Sequence, residues 1–161
     1  MTRQHDHTTP AHRGSTRGSA PRRLGAMALA MALAWSGSAR ADSARTMVRR
    51  GNDAYAAGRY EEAMKAYDQA DVESPESPVV AFNRGAALYR TGDVAAAREA
   101  FSEAARRSRD PAFEAQCRYN IGNGWFQEAR RQKDSDLAKA IEACEHSVDN
   151  YQAALVLEPE M

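Results

Sequence analysis

The apolar and polar positions divide the chain into two unlike parts. From Leu24 to Trp35 every residue is apolar or glycine. Beyond residue 41, small and aromatic residues lie scattered among charged ones and recur at a fixed distance. Gly51, Gly58, Ala63, Tyr67 and Ala70 are followed 34 residues later by Gly85, Gly92, Ala97, Phe101 and Ala104. A period of this length marks stacked helical hairpins, because one such unit cannot bury its apolar face alone.

Local signals place the helices. Helix A of the first unit is expected from about Ser43 to Ala57, ending at Gly58, and helix B from about Tyr60 to Glu73, ahead of Pro75. Glycine supplies the left-handed residue that closes a helix, and proline cannot continue one. In the second unit Pro78 opens helix A, Gly92-Asp93 makes the turn, and Pro111 stands past the end of helix B. Gly51 with Ala63, and Gly85 with Ala97, fall where the helices of a hairpin come closest. Tyr67 and Phe101 are expected to fill the space against the next unit.

A third unit departs from the period. Tyr119-Asn120-Ile121-Gly122-Asn123 repeats Phe82-Asn83-Arg84-Gly85-Ala86 at a spacing of 37, and the helix B ending, Tyr151 to Leu155 with Pro159, arrives 13 residues late. Gln127 to Arg131 can extend helix A, while Asp136 to Ile141 reads as a helix start about two turns before the register set by Ser147 and Tyr151. A lengthened hairpin with Lys133-Asp134-Ser135 at its tip is therefore expected. In such a hairpin Cys117 and Cys144 are offset by about 9 Å along the axis, too far for a disulfide. The chain continues only two residues beyond Pro159. The outer face of this last hairpin, with Ile141, Val148, Tyr151 and Leu155, is expected to be partly exposed.

The apolar run has another purpose. Its 12 residues are too few to span a bilayer, which takes roughly 20, but suit the core of a signal peptide. A polar stretch and Arg22-Arg23 precede it, and Ala39-Arg40-Ala41 follows. Residues 1–41 are thus expected to be a signal peptide with a long polar start, cleaved after Ala41, and residues 42–161 the exported, periplasmic domain. No cysteine follows the cleavage point, so no lipid anchor is expected. Arg22-Arg23 hints at twin-arginine export, yet Gly25 and Ala26 are small where that motif prefers bulky residues, which favours the general secretory route.

Charge and chemistry change the picture little. The formal net charge is zero, but residues 1–41 carry six arginines against Asp6, leaving the remainder acidic by about five charges. Such a body has no electrostatic reason to bind nucleic acid. No transmembrane segment is expected in the mature chain. His5, His7 and His12 fall in the leader, and no metal site or cofactor is expected. Cys144 and His146 are two apart on a helix and do not face each other. Asp134-Ser-Asp136 reads as a hairpin tip with a helix cap. No convergent catalytic site is expected.

The run G-N-D-A-Y-A-A-G-R-Y-E-E-A-M-K-A-Y-D-Q-A from Gly51 resembles the tetratricopeptide repeat, as does F-N-R-G-A-A-L-Y-R-T-G-D-V-A-A-A-R-E-A-F from Phe82. The resemblance implies an all-α, right-handed α-solenoid of three hairpins, the third lengthened, with repeats at about 44–77, 78–111 and 112–159. It implies a concave groove lined by the A helices, with Arg49, Asn52 and Tyr55, then Phe82, Asn83 and Arg90, then Tyr119, Asn120, Asn123 and Gln127 facing inward. Asparagine amides can pair with an extended peptide backbone while aromatic rings hold its side chains. Gly122, Tyr151 and Pro159 take the structural repeat positions of the third unit.

Relatives that clamp a carboxyl terminus use two groove asparagines with cations. Asn52 and Asn83 match the amides, but Val48 stands where lysine is expected, and Gln116 and Asn120, or Phe113 and Cys117, stand where two cations belong; a carboxylate clamp is not expected. The stretch from Phe82 to Gly92, with Arg118-Tyr-Asn-Ile-Gly122-Asn123 and the long final hairpin, is similar to tetratricopeptide proteins of the bacterial Bat aerotolerance operon, although Arg84 replaces their usual aliphatic residue. That similarity implies an envelope complex with a von Willebrand A-domain protein. Two readings stay open: a scaffold holding a peptide or protein segment in the groove, and an oligomerising module that self-associates through its last helix.

Overall fold

A computed structural model of the chain describes residues 43–160, which form six helices and no strand. α1 runs over residues 43–56, α2 over Tyr60–Glu73, α3 over Pro78–Thr91, α4 over Val94–Arg107, α5 over Pro111–Gln132 and α6 over Leu137–Leu157. Successive helices pack as hairpins α1–α2, α3–α4 and α5–α6, stacked into an all-α solenoid. The expected signal peptide lies outside the described residues, and among the described residues no helix is long and apolar enough to cross a membrane.

The helix ends have local causes. Gly58 and Gly92 take φ of 75° and 90°, the left-handed region that costs glycine least. Ser77, Asp93, Asp110 and Asp136 each accept a hydrogen bond from a backbone N–H in the first turn of the helix they precede, supplying a partner that the helix itself cannot. Pro78 and Pro111 occupy first positions, where a missing N–H costs nothing. Pro111 therefore opens α5 as well as standing past α4.

One contact recurs in all three hairpins. A β-carbon built on Gly51 would collide with the Tyr67 ring; one on Gly85 would lie 2.9 Å from two Phe101 ring carbons, and one on Gly122 2.7 Å from Tyr151. The aromatic ring of each B helix thus sits directly on the glycine of its own A helix. It also reaches the next hairpin, since Tyr67 clusters with Val80 and Phe101 with Ile121. Ala63 and Ala97 are fully buried one turn before the ring. Ser147 takes their place in α6, its hydroxyl donating to the Gly122 carbonyl at 3.0 Å.

The third hairpin is lengthened at both ends of α5 and at the start of α6. Gly122 is the twelfth residue of α5, whereas Gly85 is the eighth of α3, so the residues added before the third unit become an extra helical turn. That turn contributes Phe113, whose ring centroid lies 5.4 Å from that of Phe82. Lys133-Asp134-Ser135 forms the tip and Asp136 caps α6 by accepting from the Lys139 N–H. Cys117 is buried, Cys144 is exposed, and both are free thiols.

Replacing Gly85 by alanine is expected to destabilise the fold by ~1–3 kcal/mol through overpacking against Phe101. The cost should largely vanish in a Gly85→Ala, Phe101→Leu double variant relative to Phe101→Leu alone. Denaturant melts of the four proteins measure this, and additive losses would contradict the glycine seat.

Candidate functional site

Cross-links between the A helices place them side by side. The Asn83 Nδ2 of α3 donates to Asn52 Oδ1 of α1 at 3.1 Å, and the Gln127 Nε2 of α5 donates to the Tyr89 hydroxyl of α3 at 3.1 Å. The ten residues expected to face a groove are distributed along this row, but they are not equivalent.

Asn52 Oδ1 also accepts from the Tyr67 hydroxyl at 2.8 Å, and Asn123 Oδ1 accepts from the Tyr151 hydroxyl at 2.8 Å. Each amide follows its hairpin's glycine and holds the phenol that rests on that glycine. In the middle hairpin the same two positions are Ala86 and Phe101, so amide and hydroxyl are absent together. Part of each asparagine is therefore committed to the fold. The paired pattern Gly-Asn with Tyr, against Gly-Ala with Phe, was the signal that could have shown this from the sequence.

Phe82 departs further from the expectation. Its ring lies 5.2 Å from Phe101 and 5.4 Å from Phe113, in the packing between hairpins, because the extra turn of α5 covers it. Tyr55 and Arg90 belong to one cluster at the α1–α2 turn. The Arg90 guanidinium stands over Tyr60 at 4.8 Å and Tyr55 at 6.0 Å, and the two rings meet edge to face at 5.3 Å. Gln127 is tied to Tyr89. These four are held by packing or polar contacts.

What stays available is a smaller set. Arg49 is exposed beside Asn52 in a hollow of about 450 Å³ bounded by Val48, Ser77 and Val79. Val79, 47% exposed, is an apolar contact that sequence reasoning passed over. Asn120 Nδ2 donates to the Gln116 carbonyl at 2.8 Å within its own helix. Tyr119 is 47% exposed, its ring 5.5 Å from that of Tyr151. Among the described residues, Asn52 Nδ2, Asn83 Oδ1 and Asn120 Oδ1 have no hydrogen-bond partner. The row thus presents amide donors and acceptors on α1, α3 and α5, with their other ends anchored.

The remaining chemistry points elsewhere. Cys144 and His146 diverge: Cys144 lines a groove with Val148, while the His146 ring stacks on Trp125 at 4.5 Å. Trp125 also carries the Arg98 guanidinium at 3.9 Å, a stack with no earlier signal in the repeat pattern. Among the described residues no three His, Cys, Asp or Glu side chains are grouped to hold a metal. Val48 packs into the first core cluster with Tyr67 and Val80, so no cation replaces it there.

Residues 54–116 match the family model described as tetratricopeptide repeat. No curated protein sequence matches the chain significantly. Among solved structures, the chain is similar to the first such domain of Spaghetti (RPAP3) bound to the HSP90 peptide SRMEEVD, at 23% identity and a TM-score of 0.60, covering 74% of this chain and 82% of that one. The first domain of human RPAP3 gives 24% identity and 0.59, over 74% and 81%. The N-terminal domain of stress-induced protein-1 from C. elegans gives 22% and 0.55, over 75% and 96%. The family-model match covers residues 54–116, and the solved structures share the all-α fold of stacked helical hairpins.

Two buried groups set a pH limit. Burial, with Tyr55 nearby, pushes the Tyr67 phenol up to about 12, and burial, with Glu114 nearby, pushes the Cys117 thiol from 9.0 to about 12. Both lose their protons more readily in the unfolded chain. Stability is therefore full below about pH 9 and expected to fall by on the order of 2 kcal/mol or more as pH rises from there towards 12. Denaturant midpoints across that range test this. A thiol reagent near pH 8 should meanwhile label Cys144 but reach Cys117 only on unfolding.

Proposed function

We propose that this tetratricopeptide-repeat solenoid is an exported, non-enzymatic scaffold of the bacterial periplasm, released by cleavage after Ala41, that holds an extended segment of another protein across α1, α3 and α5. The observation that carries the reading is the row of amides. Asn52, Asn83 and Asn120 are fixed through one atom and open at the other, so an incoming backbone meets donors and acceptors already ordered, and little side-chain entropy is lost on binding. Val79 and Tyr119 offer apolar contacts beside them, and Arg49 a cation.

The bound peptide in the similar RPAP3 structure supports a peptide ligand. It does not extend to that ligand's sequence, because Val48, together with Gln116 and Asn120 or with Phe113 and Cys117, stands where a carboxylate clamp needs cations. The resemblance of the Phe82–Gly92 and Arg118–Asn123 segments to Bat-operon proteins supports a von Willebrand A-domain protein as the partner, within an envelope complex. A second reading, an oligomerising module, is favoured by one observation: Ile141, Val148 and Leu155 are about half exposed on the last helix.

An Asn83→Ala, Asn120→Ala variant is expected to keep its helical circular dichroism and to lose roughly tenfold in capture of the von Willebrand A-domain partner, about 1.4 kcal/mol. Quantitative pull-down from envelope extracts, with the partner identified by mass spectrometry, makes the measurement. Undiminished capture with intact helicity would sink the groove reading.

A further inference from the structure

The outer face of α5–α6 repeats, position for position, the face by which α4 receives α5. Counting from Phe101 and Tyr151, Val94, Arg98 and Ala105 of α4 correspond to Cys144, Val148 and Leu155 of α6. On α4 this face is covered: Val94 and Ala105 are buried, and Arg98 lies over Trp125 of α5. On α6 the same positions line or flank an open groove of about 530 Å³ whose walls include Phe126, Ile141 and Val148. These three are 48%, 53% and 50% exposed. Tyr119 likewise takes the place of Phe82 but lacks the cover that Phe113 gives that ring.

The rim shows what fits there. Arg130 and Lys133 stand at the tip end of the groove, and Glu145 and Asp149 towards the other. Among the described residues Arg130, Glu145 and Asp149 have no ion-pair partner, and Lys133 meets only its neighbour Asp134, at 3.8 Å. A surface with cations at one end, carboxylates at the other and an apolar middle is complementary to itself. A twofold axis perpendicular to the line joining the two charged ends lays the basic end of each copy over the acidic end of its mate.

We propose that the occupant is a second copy of this chain, and that α5–α6 is an isologous dimer interface with Ile141 and the two Cys144 side chains near the twofold axis and Val148 among the carboxylates of the acidic end. The inference rests on the second reading above. It leaves the first untouched, because the amide row lies on other residues.

The chain as purified from cells is expected to sediment as a dimer. An Ile141→Asp, Val148→Asp variant should be monomeric with unchanged helicity, its dimer Kd raised by at least roughly tenfold, since both sites are already solvent-exposed in the single chain. Reversing the basic end with Arg130→Glu and Lys133→Glu should weaken the dimer, and adding Glu145→Lys with Asp149→Lys should restore it, a rescue that a merely sticky surface would not show. A short bis-maleimide should link two copies through Cys144 and fail with Cys144→Ala. A monomer at every concentration overturns the proposal, as does charge reversal without effect or a dimer that survives Ile141→Asp, Val148→Asp.

Discussion

Everything in this solenoid is organised around the absence of a side chain at three places. Where Gly51, Gly85 and Gly122 stand, an aromatic ring from the second helix of the hairpin occupies the volume that a β-carbon would need. That approach sets the spacing of the two helices, and the buried alanines or Ser147 one turn earlier keep it close. Because the ring also reaches the following hairpin, one residue both closes a unit and founds the next. Stacking then follows from nearest-neighbour contacts alone, as expected of a quasi-one-dimensional fold.

The polar groups around this seat obey the rule that buried donors and acceptors be satisfied. A phenol on the glycine needs an acceptor, and Asn52 and Asn123 provide it where the ring is tyrosine. Where it is phenylalanine, no amide is needed. The same residues border the proposed binding face, so packing and recognition share side chains. Anchoring one atom of an amide orders the other, which turns a structural requirement into a preformed contact.

The long last hairpin alters both faces of the molecule. One added turn at the start of α5 brings Phe113 against Phe82 and engages that ring in the packing between hairpins. The added turns at the tip carry Arg130, Lys133 and Ile141, and with them the charge asymmetry of the outer surface. An insertion that preserves helical phase thus changes what the surfaces can bind without disturbing the glycine seats.

Periodicity, glycine and proline were enough to place the helices, the turns at Gly58 and Gly92 and the tip at residues 133–135, because these depend on backbone conformation and short-range packing, which repeat with the sequence. The separation of Cys117 from Cys144 was legible for the same reason, since it follows from counting residues around a tip. The direction in which Asn52, Asn123 and Phe82 spend their contacts was not, because it depends on partners 15, 28 and 31 residues away. Nor could the sequence show that the carboxylates of α6 and the cations of α5 border one groove, as only the folding of two long helices against each other brings them to a common rim. The chain's residues by themselves determined a stack of helical hairpins; which side chains remained free to meet another molecule was decided by tertiary packing, which uses up some polar atoms and leaves others exposed.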